Sequence, residues 1–221
     1  MQEPILFSWS GGKDSAMALH EFACGGAFRI ASLLTTVSEA YDRISMHGVR
    51  RVLLERQAAA LGLPLHVIPL AQCCTNEEYE SKMAAALAHF RKDGIRRVAF
   101  GDIFLADLRA YRECNLERVG MSALFPIWQR DTRELAVTFL ELGFLAIVVC
   151  VDSKKLDASF AGRLFDTAFL SELPATVDPC GENGEFHTFV FDGPLFHQPV
   201  PITAGEVVTR DGFVFCDLMP A

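Results

Sequence analysis

The stretch Ile5-Leu-Phe-Ser-Trp-Ser-Gly-Gly-Lys-Asp-Ser15 joins an apolar run to two adjacent glycines and then to an amphipathic segment. The apolar residues 4–9 predict a short buried strand, and the periodicity from Ser15 onward predicts a helix. Two glycines between a strand and a helix allow backbone amides to converge without interference from Cβ atoms. The helix adds its unpaired first-turn amides and the positive end of its dipole. The stretch therefore predicts a cradle for an anion, most naturally a phosphate group.

Two common phosphate-binding motifs do not fit this loop. The Walker A motif needs a glycine five positions before Gly12 and a Ser or Thr after Lys13, whereas Phe7 and Asp14 occupy those positions. The dinucleotide motif also fails, because the two glycines are adjacent and no third glycine follows. The remaining motif, Ser-Gly-Gly-Lys-Asp-Ser at residues 10–15, resembles the PP-loop of the ATP pyrophosphatases, which cleave ATP between its α and β phosphates. The alternative is a tight turn that only reverses the chain.

Length and composition fit a globular protein with one large domain or two small ones. The chain has 221 residues, 51% of them apolar, and no apolar run approaches the roughly 20 residues of a membrane span. No signal region precedes the first strand, so we expect a cytoplasmic protein with no membrane partner. The net charge of −8 argues against a broad surface for DNA or other nucleic acid. The seven cysteines are scattered without a Cys-x-x-Cys pair, which argues against a disulfide framework and a zinc site.

Strand and helix patterns alternate along the first 120 residues, with connections long enough for crossovers. This alternation predicts an α/β fold with a doubly wound parallel sheet. Ligands of such sheets bind beyond the carboxyl ends of the strands, where the glycine loop, Thr36 and the pair Gly101-Asp102 all lie. The edge therefore supports a nucleotide site independently of the motif. The predicted elements after the first strand and helix are strands at 29–36, 65–69 and 97–100, helices at 49–61, 75–94 and 105–120, and an irregular stretch at 37–48.

The pattern changes near residue 120, where we place a domain boundary. Asp131 predicts the cap of a helix, and residues 144–151 predict a strongly apolar strand. Residues 154–169 predict a loop with a short helix. Strand patterns follow, and Asp211-Gly212 between two of them predicts a hairpin. We therefore expect the second half to be a smaller C-terminal α+β domain.

A second cluster of polar residues lies at 180–188, Cys-Gly-Glu-Asn-Gly-Glu-Phe-His-Thr. If the segment is extended, Asn183, Glu185 and His187 point to one face, while Phe186 and Phe189 anchor the segment to the core. Polar groups crowded on one face beside an apolar strand predict a pocket for a polar substrate. The alternative is an ordinary solvated turn.

Four segments together resemble the diphthine–ammonia ligase family: residues 10–15, 101–103, 181–188 and 192–196. The resemblance covers nearly the whole chain in the same order. It implies an N-terminal ATP-binding PP-loop domain of the adenine nucleotide α-hydrolase type, which is Rossmann-like, at 1–120. It also implies an acceptor-binding domain at 121–221, with the second cluster at the cleft between the domains. The implied reaction amidates the carboxylate of diphthine, a modified histidine on a translation elongation factor, with ATP and ammonia, and releases AMP and pyrophosphate.

On this hypothesis the loop binds the β and γ phosphates through its amides and hydroxyls. Lys13 adds a positive charge, with a solvent-facing loop lysine as the alternative. Asp14 either orients the loop or helps to hold Mg²⁺, and the alternative is a plain helix N-cap. Gly101 allows the nucleotide to approach closely. The residues assigned to ATP are Ser10, Gly11, Gly12, Lys13, Asp14, Ser15, Thr36, Gly101 and Asp102.

The second half-reaction requires a base, because ammonia loses a proton after it attacks. The residues leave this base open among Glu182, Glu185 and His187. Arg109 and Arg112 could reach the phosphates or the acceptor, with solvated helix arginines as the alternative. His47 and Gly48 could close over the adenosine. The catalytic assignments are Lys13, Asp14, Glu182, Glu185 and His187, and the acceptor assignments are Glu182, Asn183, Gly184, Glu185, His187, Thr188, Arg109 and Arg112.

The expected cofactors are ATP and Mg²⁺, and free ammonia is expected because no glutaminase nucleophile motif is visible. The acceptor is either the modified histidine or a small carboxylate, and a homodimer is compatible with the sequence. One rival is a PP-loop enzyme that modifies tRNA, against which the acidic charge and the missing Cys-x-x-Cys pairs count. Another rival is a non-catalytic ATP-binding sensor of the same fold, which would need no second polar cluster.

Overall fold

Residues 2–44 and 47–221 are described by a computed structural model, and they form two β-sheets with helices between and around them. Residues 45 and 46 belong to the stretch expected to be irregular and lie outside the described residues. The rest of that stretch is more regular than expected, because the second strand continues through it and a short antiparallel strand follows.

The first sheet has five parallel strands in the order β4-β2-β1-β5-β6, with β3 paired antiparallel to the end of β2. The chain adds strands on one side of β1 and then on the other, which is the doubly wound arrangement expected from the sequence. The strands are β1 (Glu3–Ser8), β2 (Phe28–Ser38), β3 (Arg43–Ile44), β4 (Leu65–Leu70), β5 (Arg97–Ala99) and β6 (Ser122–Leu124).

Four helices connect these strands: α1 (Lys13–Gly25), α2 (Arg51–Ala60), α3 (Asn76–Lys92) and α4 (Ala106–Arg118). Their ends follow local signals. Thr75 and Glu78 form a complete capping box at the start of α3, and Gly26 ends α1 in the left-handed conformation with φ of 66°. The first helix begins at Lys13, two residues earlier than its apolar periodicity predicts, because the glycine turn leads straight into helical backbone.

The strand order leaves a crevice beside β1, because β1 is flanked by β2 on one side and β5 on the other. Loops that leave neighbouring strands in opposite directions open such a crevice at the carboxyl edge of a parallel sheet. The glycine loop follows β1, and residues 100–105 follow β5. A Cβ at Gly101 would lie 2.9 Å from the Asp14 carbonyl carbon, so glycine is required where the second loop meets the start of α1.

The second sheet is antiparallel, with strand order β8-β7-β10-β9. Asp211 and Gly212 join its last two strands with positive φ values of 52° and 84°, which is the hairpin turn expected from the sequence. Asp131 caps α5 by accepting from the Glu134 amide, also as expected. The remaining elements are α5 (Thr132–Glu141), β7 (Leu145–Asp152), a 3₁₀ turn (Ala158–Phe160), α6 (Thr167–Glu172), β8 (Phe186–Asp192), β9 (Ile202–Arg210) and β10 (Phe213–Pro220).

The two halves share buried contacts. One apolar cluster includes Phe7 and Leu53 from the first half together with Phe139 and Phe189 from the second. The first sheet also extends past residue 120, because β6 pairs with β5. The boundary at residue 120 therefore does not divide the core. That residues 1–120 bind ATP and residues 121–221 bind the acceptor remains a proposal. Among the helices of the described ranges, none combines the length and the apolar character needed to cross a membrane.

An ion-pair cluster ties the β3 region to β10. Arg43 Nη1 lies 2.7 Å from Asp217 Oδ1, and Arg50 Nη2 lies 2.6 Å from Asp217 Oδ2. Hydrogen bonds from Arg50, and after it from Arg43, together lower the pKa of Asp217 to about 2, against the opposing effect of burial. A depressed carboxyl pKa stabilises the folded state above the unfolded pKa, and this stabilisation is lost as pH falls through the folded pKa.

We expect Asp217→Asn to lower the free energy of unfolding by about 2 kcal/mol at pH 7, since the carboxyl pKa falls from 3.8 to about 2 on folding and each pKa unit is worth about 1.4 kcal/mol, less some solvent screening. Urea denaturation at pH 7 and near pH 2 measures the effect, which should shrink at the lower pH because the wild-type carboxyl is then increasingly protonated. Glu55→Gln, in the exposed pair with Arg51, is the control and should change stability by less than about 0.5 kcal/mol. An Asp217→Asn effect that is equal at both pH values contradicts this interpretation.

Candidate functional site

The glycine loop leaves β1 through Trp9 and Ser10 and turns at Gly11. Gly11 has φ of +79°, which a residue with a Cβ rarely adopts, and a Cβ there would lie 2.7 Å from Gln57 Oε1. Gly12 is the N-cap of α1. It has no side chain that could accept hydrogen bonds from the first-turn amides of the helix. The sequence therefore folds into the strand, glycine turn and helix that an anion cradle requires.

Two hydroxyls close the inside of the loop. Ser10 Oγ and Ser15 Oγ lie 2.7 Å apart. The Ser10 amide donates to Ser15 Oγ at 3.3 Å, and the Gly12 amide donates to Ser10 Oγ at 3.3 Å. The two bonds from backbone amides to hydroxyls are long, so phosphate oxygens could replace the hydroxyls as acceptors. The structure thus brings together the loop residues expected to bind phosphate.

The second polar segment packs directly on this loop. The Lys13 amide donates to Thr188 Oγ1 at 3.0 Å, and a Cβ at Gly12 would lie 3.1 Å from the Thr188 carbonyl oxygen. Thr188 is buried. Two residues further along β8, the Val190 amide donates to the Gly11 carbonyl oxygen of the loop at 2.9 Å. The loop and the second segment are 175 residues apart in sequence and form one site in the fold.

Lys13 is buried, so the alternative of a solvent-facing lysine is wrong. Its ammonium donates to both carboxylate oxygens of Asp14 at 2.9 Å and to the carbonyl oxygen of Cys180. Burial acts to lower the pKa of Lys13, but the acidic groups around the ammonium, Asp14 first among them, together outweigh burial and the pKa is raised. Asp14 is the second residue of α1, behind the N-cap Gly12, so the N-cap alternative for Asp14 is also wrong.

Residues 178–184 form a tight turn, and Asn183 is not part of an extended strand. Gly181 and Gly184 have φ values of 68° and 79°, and β8 begins only at Phe186. The turn is held by Asp178, whose Oδ1 accepts from the amides of Cys180 at 2.9 Å and Glu182 at 3.2 Å. The expectation that the side chain at 183 shares one strand face with the next two polar residues is therefore wrong.

Glu182 connects the turn to the loop after β5. Its Oε1 accepts from the Ile103 amide at 2.8 Å and lies 3.4 Å from the Phe104 amide. Burial raises the pKa of Glu182 to about 7, and the bond from Ile103 opposes that rise. A carboxyl group with this pKa exchanges a proton near neutral pH, which is the property expected of an acid–base group.

Glu185 is buried and has one satisfied oxygen and one open oxygen. Its Oε1 accepts from the Asp178 amide and from Asn183 Nδ2, both at 3.1 Å. No hydrogen-bond partner for Oε2 is present among the described residues. A buried carboxylate oxygen without a partner is costly, so the site is suited to receive a donor or a cation.

His187 stacks on His47, with ring centroids 4.4 Å apart and an interplanar angle of 15°. Burial lowers the pKa of His187 to about 4, with a further contribution from Lys13, and burial lowers the pKa of His47 as well. Both rings are therefore neutral at pH 7. His47 contacts the second segment, and Gly48 lies against the Phe215 ring, where a Cβ would come within 2.8 Å.

The two helix arginines point to other partners. Arg112 Nε lies 2.7 Å from Asp102 Oδ2, and its guanidinium lies over the Phe100 ring. Arg109 pairs with Glu113 and lies over the rings of Phe125 and Trp128. Among the described residues, neither arginine bonds to residues 181–188.

Thr36 is half-buried near the carboxyl end of β2, in register with Ile68 on β4. Gly101 is tight against the backbone of α1, which gives a structural reason for this glycine besides the approach of a nucleotide. Cys180 is buried, its thiol donates to the Thr132 carbonyl at 3.2 Å, and burial raises its pKa, so it is not a reactive thiol.

Three polar residues of the site were missed by the sequence interpretation: Gln57, Asp178 and Lys155. Gln57 is fully buried on α2 and bonds to the glycine loop, and Lys155 donates to the Asn183 carbonyl at 2.6 Å. The signal for Gln57 is its position, since it falls on the helix face that buries Leu53, Leu54 and Ala58. An amide on an apolar face needs buried partners.

Three surface cavities lie away from this junction. They have volumes of about 340 Å³ between α3 and α4, about 370 Å³ beside the start of α3, and about 420 Å³ between the β2–β3 hairpin and the β9–β10 hairpin. None of the three is lined by residues 10–15 or 181–188. The inside of the glycine loop is occupied by the loop's own hydroxyls. Within the described residues, no group of three or more His, Cys, Asp or Glu side chains is arranged to hold a metal ion.

Comparison with known proteins gives matches along both halves. The family model described as the diphthamide synthase N-terminal domain matches residues 4–123, and the model described as its C-terminal domain matches residues 131–218. Proteins named diphthine–ammonia ligase from Bos taurus and Homo sapiens are 27% and 25% identical to the chain, covering 93% of it and 85% of their own length. The protein of that name from Danio rerio is 28% identical, covering 93% of this chain and 89% of its own.

We expect Glu182→Gln to stabilise the protein above neutral pH by about 1–2 kcal/mol, allowing for solvent screening. A raised carboxyl pKa favours the folded state fully below the unfolded pKa, and that contribution is lost as pH rises through about 7. Glutamine keeps the acceptor for the Ile103 amide without the charge. Thermal unfolding at pH 5 and pH 8.5 measures the difference, which should be larger at pH 8.5. Glu113→Gln is the surface control, and a Glu182→Gln variant that is less stable at pH 8.5 contradicts the prediction.

Proposed function

The chain belongs to the diphthamide synthase family, a family of enzymes, and from this membership and the geometry of the loop we propose that it is an AMP-forming ligase. It would adenylate the carboxylate of diphthine or a related acceptor and transfer ammonia to it, with release of AMP and pyrophosphate. The observation that carries the proposal is the contact between the glycine loop and the second polar segment, through Lys13 and Thr188. One segment is suited to bind polyphosphate and the other to bind an acceptor.

In the first half-reaction the acceptor carboxylate oxygen attacks the α-phosphorus, and the bond to the β-phosphate oxygen breaks. The protein must hold the pyrophosphate and balance its growing negative charge. The proposed ligands are the amides of Gly11 and Gly12, the first-turn amides of α1, and the hydroxyls of Ser10 and Ser15. Thr36, Gly101 and Asp102 would line the same edge. Lys13 would supply the positive charge, and it lies at the start of the same helix.

In the second half-reaction ammonia attacks the acyl carbon, AMP leaves and the attacking nitrogen gives up a proton. Glu182, Glu185 and His187 are the proposed proton acceptors. Glu182 has a pKa of about 7 and can take up a proton near neutral pH, whereas His187, whose pKa is lowered to about 4, is a neutral ring at pH 7 that can accept a hydrogen bond. The open Oε2 of Glu185 can accept a hydrogen bond from ammonia or from a cationic part of the acceptor.

The acceptor site would consist of residues 182–188, with the two helix arginines in a supporting role. Arg112 would act through its ion pair with Asp102, and Arg109 only after leaving Glu113. The acceptor is the modified histidine of an elongation factor or a small carboxylate. The first half of the chain would thus hold ATP, and the second half would hold the acceptor.

Mg²⁺ is proposed to arrive with the nucleotide, bound mainly by phosphate oxygens. Asp14 is the carboxylate within the loop motif itself. Both of its oxygens are bonded to the Lys13 ammonium in this structure, so a metal ion would compete with that ammonium for Asp14. The ion would neutralise phosphate charge, and the residues named above would do the positioning.

Incubation with ATP, ammonium and candidate carboxylates should release AMP and pyrophosphate in equal amounts. Separate assays for pyrophosphate and for AMP against ADP measure this stoichiometry. Asp14→Ala should lower the rate by about a hundredfold or more, the usual scale for a charged group that aligns a transferring phosphoryl group. Release of ADP and phosphate would contradict the proposed cleavage site.

Glu185→Gln should lower ligation by about a hundredfold or more while ATP binding stays within about twofold of the wild type. The substitution keeps the size of the side chain and the acceptor for the Asp178 amide, but it removes the charge at Oε2. Isothermal titration with ATP and the AMP assay separate the two effects. Glu172→Gln, in an exposed pair with Arg163, is the control and should change neither. If ATP binding is lost with ligation, the proposed division of roles is wrong.

A further inference from the structure

Gln57 lies outside both recognised motifs, yet its side chain is completely buried against the glycine loop. Its Oε1 accepts from Trp9 Nε1 at 3.0 Å. Its Nε2 donates to the Gly11 carbonyl at 2.9 Å and to the Val190 carbonyl at 2.5 Å. Two of these bonds tie the amide to the chain just after β1, and the third ties it to the interior of β8.

The orientation of this amide is fixed by its partners. An indole nitrogen only donates, and a backbone carbonyl only accepts. Trp9 must therefore face the Gln57 oxygen, while Gly11 and Val190 must face its nitrogen. Both amide hydrogens are used, and no other neutral side chain of this length supplies one acceptor and two donors in this arrangement.

The Gly11 carbonyl is held from two sides, because the Val190 amide also donates to it at 2.9 Å. A carbonyl oxygen has two lone pairs, so these two donors satisfy it. The same peptide unit carries the Gly12 amide, and in a planar trans peptide the N–H points away from the C=O. Fixing the Gly11 oxygen toward Gln57 therefore fixes the Gly12 N–H toward the inside of the loop, where it meets Ser10 Oγ.

We propose that Gln57 is a positioning residue that presets the Gly11–Gly12 peptide for binding the polyphosphate. It acts on the nucleotide only through this peptide and does not contact the reacting atoms. Through Val190 it also sets β8, and hence Thr188 and the acceptor segment, relative to the loop. The inference rests on the proposed function, because that function requires the Gly11–Gly12 peptide to bind phosphate.

The test compares Gln57→Met and Gln57→Glu with Leu53→Val. Methionine keeps the length of the side chain and removes both donors, and glutamate keeps the acceptor for Trp9 but removes the paired donors. Leu53 is buried on the same helix, and its substitution lowers stability without removing a hydrogen bond from the loop.

Equilibrium titration with ATP, without acceptor, should show affinity at least about tenfold weaker for both Gln57 variants, the scale of a lost buried hydrogen bond. Leu53→Val should bind ATP within about twofold of the wild type. Hydrogen exchange at the Gly12 amide should be faster in the Gln57 variants relative to Leu53→Val at matched stability. ATP affinity within twofold of the wild type in a folded Gln57 variant overturns the inference.

If both variants fail to fold, hydrogen exchange in the wild type still tests the role of Gln57. The side-chain amide hydrogens of Gln57 should exchange slowly, and more slowly when ATP is bound; exchange that ATP leaves unchanged overturns the inference. If the wild type binds ATP and the Gln57 variants bind ATP with the same affinity, only the role of Gln57 is refuted. A wild type that does not bind ATP refutes the proposed function, and this inference with it.

Discussion

The Gly11 carbonyl oxygen accepts hydrogen bonds from the Val190 amide and the Gln57 side chain, and the loop that follows β1 depends on this contact. Gly11 has a backbone conformation open mainly to glycine, which by itself leaves the peptide free to turn. The two donors come from β8 and α2, one in each half of the chain. Contacts from both halves of the chain therefore hold the glycine loop, although its sequence motif lies wholly within the first fifteen residues.

The same junction concentrates charged side chains with little exposure to solvent. Lys13 and Glu185 are buried, while Asp14, which pairs with Lys13, and Glu182 are half-buried. A buried charge costs free energy unless it is paired or hydrogen-bonded, and one oxygen of Glu185 has no partner among the described residues. A fold that retains such groups at the carboxyl edge of its parallel sheet has the features expected of an active site.

Much of the fold followed from local rules. The alternation of elements predicted the parallel sheet, the capping box at Thr75 fixed the start of α3, and Asp211-Gly212 predicted the last hairpin. The candidate site was less predictable, because its contacts join distant residues. Local periodicity could place Gln57 on a buried helix face but could not show which loop its amide meets. The turn at residues 178–184 depends on Asp178, whose carboxylate accepts hydrogen bonds from two later backbone amides. The assumption that the segment is an extended strand does not predict these bonds.

A crystal structure with α,β-methylene ATP, which cannot be cleaved between the α and β phosphates, would show whether the loop after β1 and the segment before β8 form a single site. We expect the β and γ phosphates on the amides of Gly11, Gly12 and the first turn of α1, with the α phosphate facing Glu182 and Glu185. A nucleotide bound in another cavity, or one whose γ phosphate faces residues 182–185 with the α phosphate remote, would contradict this expectation.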